Sequence, residues 1–178
     1  ERSWQGPTIK AEQLLSFLQE LLTEAQCPLN NLQKIGIAIG PGAFTGLRLS
    51  LVSAKTLALE LKIPLVPVST LYALARQYGS GSGKNVRIIL DACRGDVSTA
   101  LFDPELSRLE PDHPVKKGLP FPDQNAVLID NPVPDALTIA MIAEESSEPF
   151  DKEKISGLVP SYSHESRINF STKPELQH

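Results

Sequence analysis

Cysteine is scarce: Cys27 and Cys93 are the only two, and no C-x-x-C occurs. That excludes a disulfide framework and a zinc knuckle, and it suits a reducing cytoplasm. Basic clusters are missing as well. Lys and Arg number 17 against 21 Asp and Glu, a net charge of −4, with no Lys/Arg block to grip nucleic acid. No apolar run approaches the roughly 18 residues of a membrane span, and no signal-peptide pattern is visible. The three histidines, His113, His164 and His178, fall in polar, Pro-rich or terminal stretches without H-x-x-x-H or H-x-x-E-H spacing. A histidine metal site is therefore not supported. What is present is a 41% hydrophobic, 21% charged chain of 178 residues. This is enough for one ordinary domain, or two small ones sharing a core.

Periodicity divides the chain. Residues 8–25 read as an amphipathic helix with Thr8 as N-cap. Leu14, Leu15, Leu18, Leu21, Leu22 and Ala25 share one face, with Phe17 at its edge. Pro28 ends it. Residues 35–39, Ile-Gly-Ile-Ala-Ile, read as a buried strand, and Gly40-Pro41-Gly42 as a sharp turn. A helix over 44–61, a short strand over 65–68 and a helix from Ser69 or Thr70 to about 78 follow. Residues 79–85 (Gly-Ser-Gly-Ser-Gly-Lys-Asn) suit a flexible surface connection or a subdomain boundary. The spacing then predicts a strand over 86–90 and a hairpin continuing over 92–102, with Arg94-Gly95 in its turn. Ten of the fifteen prolines lie beyond residue 103, which disfavours long helices and central strands there. A strand over 126–129 and a helix over 134–145 capped by Asp135 are expected. Residues 150–178 read as polar and extended, with only 157–162 able to pack. Two lobes are expected, over 1–85 and 86–178. The chain opens Glu1-Arg2-Ser3-Trp4, without Met and without the strand that usually opens an α/β domain. Further strands are expected upstream.

The stretch 35–55, IGIAIGPGAFTGLRLSLVSAK, is the most informative. A strand driven through glycines into a helix N-terminus brings backbone N–H groups against an anion or another chain. The phosphate reading names Gly40, Gly42 and Thr45 as candidates. However, Gly40-Pro-Gly42-x-x-x-Gly46 is neither G-x-G-x-x-G nor G-x-x-x-x-G-K-[ST]. Pro41 removes one N–H, and Lys55 lies too far along the helix. The packing alternative is a small-residue stripe of Gly46, Ser50, Ser53, Ala54 and Leu57, which would admit another helix closely. Leu47 and Leu51 occupy a neighbouring face, and Leu49 another. Apolar positions on several faces argue for a helix sandwiched between its own sheet and something else. Arg48 opposes the positive helix end unless it meets a carboxylate or phosphate, the plain alternative being a surface arginine.

The remaining candidates have bland readings beside the sharp ones. Asp91 with Asp96 is not a metal site by itself, and turn capping accounts for it. Cys93 reads as a buried hydrophobe. Ser69-Thr70 reads as a helix cap before a nucleophile. No Ser/His/Asp set is legible.

Four blocks in order, Gly40-Pro-Gly-Ala-Phe-Thr-Gly-Leu-Arg48, Ala54-Lys55-x-Leu-Ala58, Val66-Pro-Val-Ser-Thr-Leu71 and Asp91-Ala-Cys-Arg-Gly-Asp96, resemble the TsaB (YeaZ) family. The resemblance covers about residues 8–100. The tail Leu158-Val-Pro-Ser-Tyr-Ser163 resembles the family's closing P-x-Y-x-R more weakly, with Ser163 where Arg is usual. The resemblance implies the α/β superfold of actin, sugar kinases and Hsp70-type ATPases, with RNase H-like lobes and here without the first strands. It implies a non-catalytic scaffold for N6-threonylcarbamoyladenosine formation in tRNAs reading ANN codons. TsaD would be the catalytic paralogue, carrying metal and nucleotide, with TsaE and TsaC in the same machinery. A homodimer through the same face is implied when the chain is alone, with tRNA contact indirect. The partner-binding residues expected are Leu14, Leu18, Leu21, Leu22, Phe44, Gly46, Leu47, Arg48, Ser50, Leu51 and Ala54. No catalytic residue, metal or cofactor of its own is expected. The alternative is a small-molecule kinase or ATPase of the same superfold using the turn at 40–46 for phosphate.

Overall fold

Two short strands, Ile35–Gly40 (β1) and Leu65–Ser69 (β2), pair in parallel, with Ile35 opposite Leu65 and Ala38 opposite Val68. The computed structural model describes residue 3 and residues 11–79, 81, 83–92, 96–110, 113–122 and 125–162. β1 is apolar throughout because helices lie on both faces of the pair. On one face Phe44–Leu61 (α2) sets Ala54 and Ala58 against Ile35, Ile37 and Leu65. The other face takes Thr70–Gly79 (α3) and Ala136–Glu145 (α4), through Ala73, Ile139, Ile142 and Ala143 on Val66 and Val68. Gly36 lets α4 approach the backbone: a Cβ there would stand 2.8 Å from the Ala143 Cβ. Among the described residues β1 pairs with β2 alone.

The second sheet has the order β5-β4-β3-β6. Val86–Asp91 (β3) and Asp96–Phe102 (β4) are antiparallel neighbours. His113–Lys116 (β5) adds antiparallel to β4, and Val127–Asp130 (β6) parallel to β3. One face buries Val86, Ile88, Leu90, Ala100 and Phe102 against Leu71, Leu74 and Ala75 of α3. On the opposite face Arg87 is buried to 1% exposure. A charge so placed needs partners. Its Nη1 donates to Thr99 Oγ1 at 3.3 Å, its Nη2 meets Glu110 Oε2 at 2.9 Å, and the Phe121 ring lies 4.7 Å away.

The observed elements follow the hydrophobic periods, with two corrections. The tail is not extended from residue 150: Lys152–Gly157 forms a short helix (α5), with Asp151 accepting from the Lys154 N–H at 3.0 Å. Ile155 drops from α5 into the α2 layer. β5 is an addition within the Pro-rich half, where the sequence suggests no strand before residue 126. Pro114 is tolerated because β5 is an edge strand. The Asp135 cap is present, accepting from the Thr138 N–H at 2.5 Å. Thr8, Cys93, Arg94, Gly95, Ser163, His164 and His178 lie outside the described residues.

Two cations fasten α4. Lys34 Nζ donates to the carbonyls of Ala143, Glu144 and Ser146 at 3.0, 3.2 and 2.7 Å, completing the helix C-terminus. Arg76 of α3 grips Glu145 in two bonds of 2.6 and 2.5 Å. The Arg76 hydrogen bond holds the Glu145 carboxyl below its ordinary pKa, and Arg76 is raised in return. A folded-state carboxyl pKa below the unfolded one adds stability above the ordinary carboxylate range. That stability disappears as pH falls through the lowered value. Glu145→Gln should therefore melt slightly lower than the parent at neutral pH and converge with it in acid. Melting curves across that range check this, and a constant gap at every pH would contradict it.

Candidate protein-docking site

The first helix, Ala11–Glu24 (α1), carries a clear apolar stripe, yet none of its described side chains is buried. Leu14, Leu18, Leu21 and Leu22 are half-buried, and Leu15 is 53% exposed. The chain leaves α1 through Cys27 and Pro28 into a 3-10 turn, Leu29–Asn31. Between α1, this turn and Leu57 of α2 runs an open groove of about 530 Å³, lined by Leu15, Leu18, Leu22, Cys27, Leu29 and Leu57. An amphipathic helix gains most of its stability by burying its stripe. Here the described fold leaves that stripe only partly covered, which makes it a candidate interaction surface.

α2 divides its faces. Leu47, Leu51, Ala54 and Ala58 recur at helical spacing and turn inward, at 9%, 4%, 7% and 0% exposure. Leu47, Leu51 and Ala54 are thus core residues, not the docking contacts expected of them. The reason is geometric: the sheet takes the 47/51/54/58 stripe, which leaves the 44/48/52 stripe outside. Phe44 is 50% and Val52 63% exposed, with Arg48 between them. Val52 escaped the sequence reading, although its spacing from Phe44 and Arg48 carried the signal. The Arg48 guanidinium lies over the Phe44 ring at 3.9 Å and 5.9 Å from the Tyr162 ring. Its Nε donates to Tyr162 Oη at 2.9 Å. Tyr162 lies 114 positions along the chain from Arg48, too far for any local signal.

Gly46 and Ser50 face a second, smaller trough of about 450 Å³, shared with Gly36, Pro41, Ile139 and Ala140. Nothing approaches the Cβ position of Gly46 more closely than Ala43, at 3.9 Å. No helix of the described chain uses the Gly46 end of the small-residue stripe. The Ser50 hydroxyl is spent within α2, donating to the Gly46 carbonyl at 2.9 Å.

The turn itself is occupied by its own chain. Gly40 has φ +117°, and a Cβ there would collide with the Ser161 carbonyl oxygen. Only glycine fits such a position. The Ser161 N–H donates to the Ile39 carbonyl at 2.7 Å. Gly42 faces Leu47, where a Cβ would make ordinary van der Waals contact at 3.6 Å, and Thr45 is exposed. Lys55 Nζ donates to the carbonyls of Ser156 and Leu158 at 2.6 and 3.0 Å, tying the tail to α2. The backbone glycines thus admit a carbonyl of the tail.

Asp91 forms an ion pair with Lys117 at 2.7 Å, and Asp96 one with Lys116 at 2.5 Å. The turn that Asp91 is expected to cap, at 93–95, lies outside the described residues. Ser69 Oγ accepts from the Tyr72 N–H at 3.4 Å, which is a capping contact. Among the described residues no group of three His, Cys, Asp or Glu could hold a metal ion, and no helix is long and apolar enough to cross a membrane.

If the close approach at Gly40 seats the tail, Gly40→Ala should displace 158–162 and destabilise the fold by about 2 kcal/mol or more, from strain at positive φ and the lost approach. Gly81→Ala, also at positive φ (+82°) but with nothing within 4 Å of a Cβ, is the control. Equal losses for the two variants in denaturant melts would refute the seating role.

Residues 10–112 match the family described as TsaD, tRNA N6-adenosine threonylcarbamoyltransferase. The tRNA threonylcarbamoyladenosine biosynthesis protein TsaB of Bacillus subtilis is 37% identical over 113 residues, 64% of this chain and 45% of that protein. The Escherichia coli protein of the same description is 30% identical over 97 residues, 54% of this chain and 42% of its own length. The matched stretch spans less than half the length of either relative. A Pseudomonas aeruginosa structure described as an uncharacterized protein with similarity to peptidase YeaZ superposes with a TM-score of 0.72. It is 24% identical, covering 89% of this chain and 86% of that one. A second structure, YeaZ from the same organism, gives 0.68 at 25% identity, covering 85% and 84%. The architecture is the actin-like α/β superfold, and the chain belongs to the TsaB/YeaZ family.

Proposed function

We propose that this chain is a non-catalytic docking subunit in the formation of N6-threonylcarbamoyladenosine in tRNA. It binds a TsaD-type catalytic protein through α1 and the outward stripe of α2. One observation carries the reading: an amphipathic α1 with its leucines left in an open apolar groove against Leu57. A fold that only supported itself would gain by closing that groove. In this reading ATP and metal belong to partner subunits. TsaE and TsaC act in the same machinery, and tRNA is met indirectly. Alone, the chain covers the same face with a second copy. The names of the relatives support the pathway.

The test is direct. The chain and the TsaD-type protein of the same genome are mixed and followed by size-exclusion chromatography and calorimetry. Leu15→Asp or Leu18→Asp should weaken the complex by about tenfold to a hundredfold, as loss of an interface anchor does. The melting temperature should hardly move, because neither side chain is in the core. Leu51→Asp should instead unfold the chain, because that side chain is 4% exposed. A monomer at tens of micromolar that also ignores the TsaD-type protein would remove the proposal.

A further inference from the structure

Arg48 presents a cation that the described chain neither neutralises nor buries. We propose that it is the specificity-determining residue of the docking face, and that it captures a carboxylate on the docked protein between two apolar contacts. This rests on the docking reading above.

Three observations support it. Arg48 stands near the N-terminal end of an 18-residue helix, where the backbone dipole is already positive. The Ala43 N-cap offers no side-chain acceptor there. Second, the guanidinium is held rather than loose. Phe44 lies beneath it at 3.9 Å, and Nε is engaged by Tyr162 Oη at 2.9 Å. Among the described residues Arg48 has no ion pair, and its one hydrogen bond uses Nε. Nη1 and Nη2 keep the fork that grips a carboxylate in two parallel bonds. Third, Phe44 and Val52 stand exposed one turn to either side. The complementary surface is a helix that presents an acidic residue flanked by apolar ones at one-turn spacing.

Charge complementarity favours a carboxylate over a nucleic-acid phosphate. A polyanion is gripped by several cations at once. Here one arginine stands on an exposed stripe between a phenylalanine and a valine, in a chain of net charge −4. Tyr162 acts as a positioning residue. It reaches Arg48 only because Lys55, Gly40 and Ile39 fix the tail at 156–161.

Calorimetric titration against the TsaD-type protein, at low and at high salt, tests this with R48A, R48K, R48E and Y162F. R48A should weaken binding about tenfold or more, and R48E further. R48K should recover little, because a point charge cannot replace the planar fork. The parent affinity should fall with added salt, and that dependence should shrink in R48A. Y162F should lose a few-fold while keeping the salt dependence, with all melting temperatures near the parent's. Unchanged affinity in R48A and R48K, with Leu15→Asp still disrupting the complex, would overturn the carboxylate assignment and leave the docking reading intact. If the parent shows no binding, both fall. If R48E instead releases a tRNA anticodon hairpin and spares the protein complex, the cation serves phosphate and the assignment is wrong.

Discussion

The arrangement depends on one close approach, the Ser161 carbonyl set against the α-carbon of Gly40. It can form only because residue 40 has no side chain and a backbone in the left-handed half of φ space. The approach fixes where the strand stops, and α2 starts four residues later at Phe44. It also sets where the distant tail crosses the sheet end. Lys55 then secures the same tail further along α2, by filling carbonyls at the end of α5. An alanine-sized group at position 40 would compete with all of this. The glycine turn is better understood as a seat for backbone than as a cradle for anions.

From that seat follows the division of labour on α2. One stripe meets the sheet and disappears. The opposite stripe meets solvent with a phenylalanine, an arginine and a valine exposed. α1 is the extreme case, since its stripe has a core-like composition but no core to enter. Together the two helices hold more apolar surface than the described fold covers. Surplus of that kind, placed on regular elements rather than loops, is costly to keep wet. Apolar surface of that kind is the usual mark of an interaction site.

Much of this was legible in the residues. The α2 boundaries, 44 and 61, emerge from a glycine turn at one end and Lys62-Ile63-Pro64 at the other, and the helix occupies that span. The Asp135 cap and the β3–β4 pairing are likewise local in origin, one an acceptor beside free N–H groups and the other a short reversal. What failed was the assignment of inside and outside on α2. Helical spacing alone does not decide which of two apolar stripes a sheet will take, so Leu47 and Leu51 looked like contacts and turned out to be core. The Arg48 contact of Tyr162, and the inward place of Ile155, were invisible for another reason. Their partners are tertiary, and a polar tail gives no period from which to infer them. β5 hid behind Pro114, since proline argues against a central strand but not against an edge.

Helix α3 has a consequence of its own. Ala73 packs with the two-stranded sheet and α4, while Leu71, Leu74 and Ala75 pack with the four-stranded one. Six of its ten residues are buried. Neither sheet can therefore loosen without stripping a face from the same helix, so the two should open in concert rather than as separate folding units. Amide protons along α3 would then be among the slowest in the molecule to trade with deuterated water. A ligand gripping either sheet would slow their trade across the other.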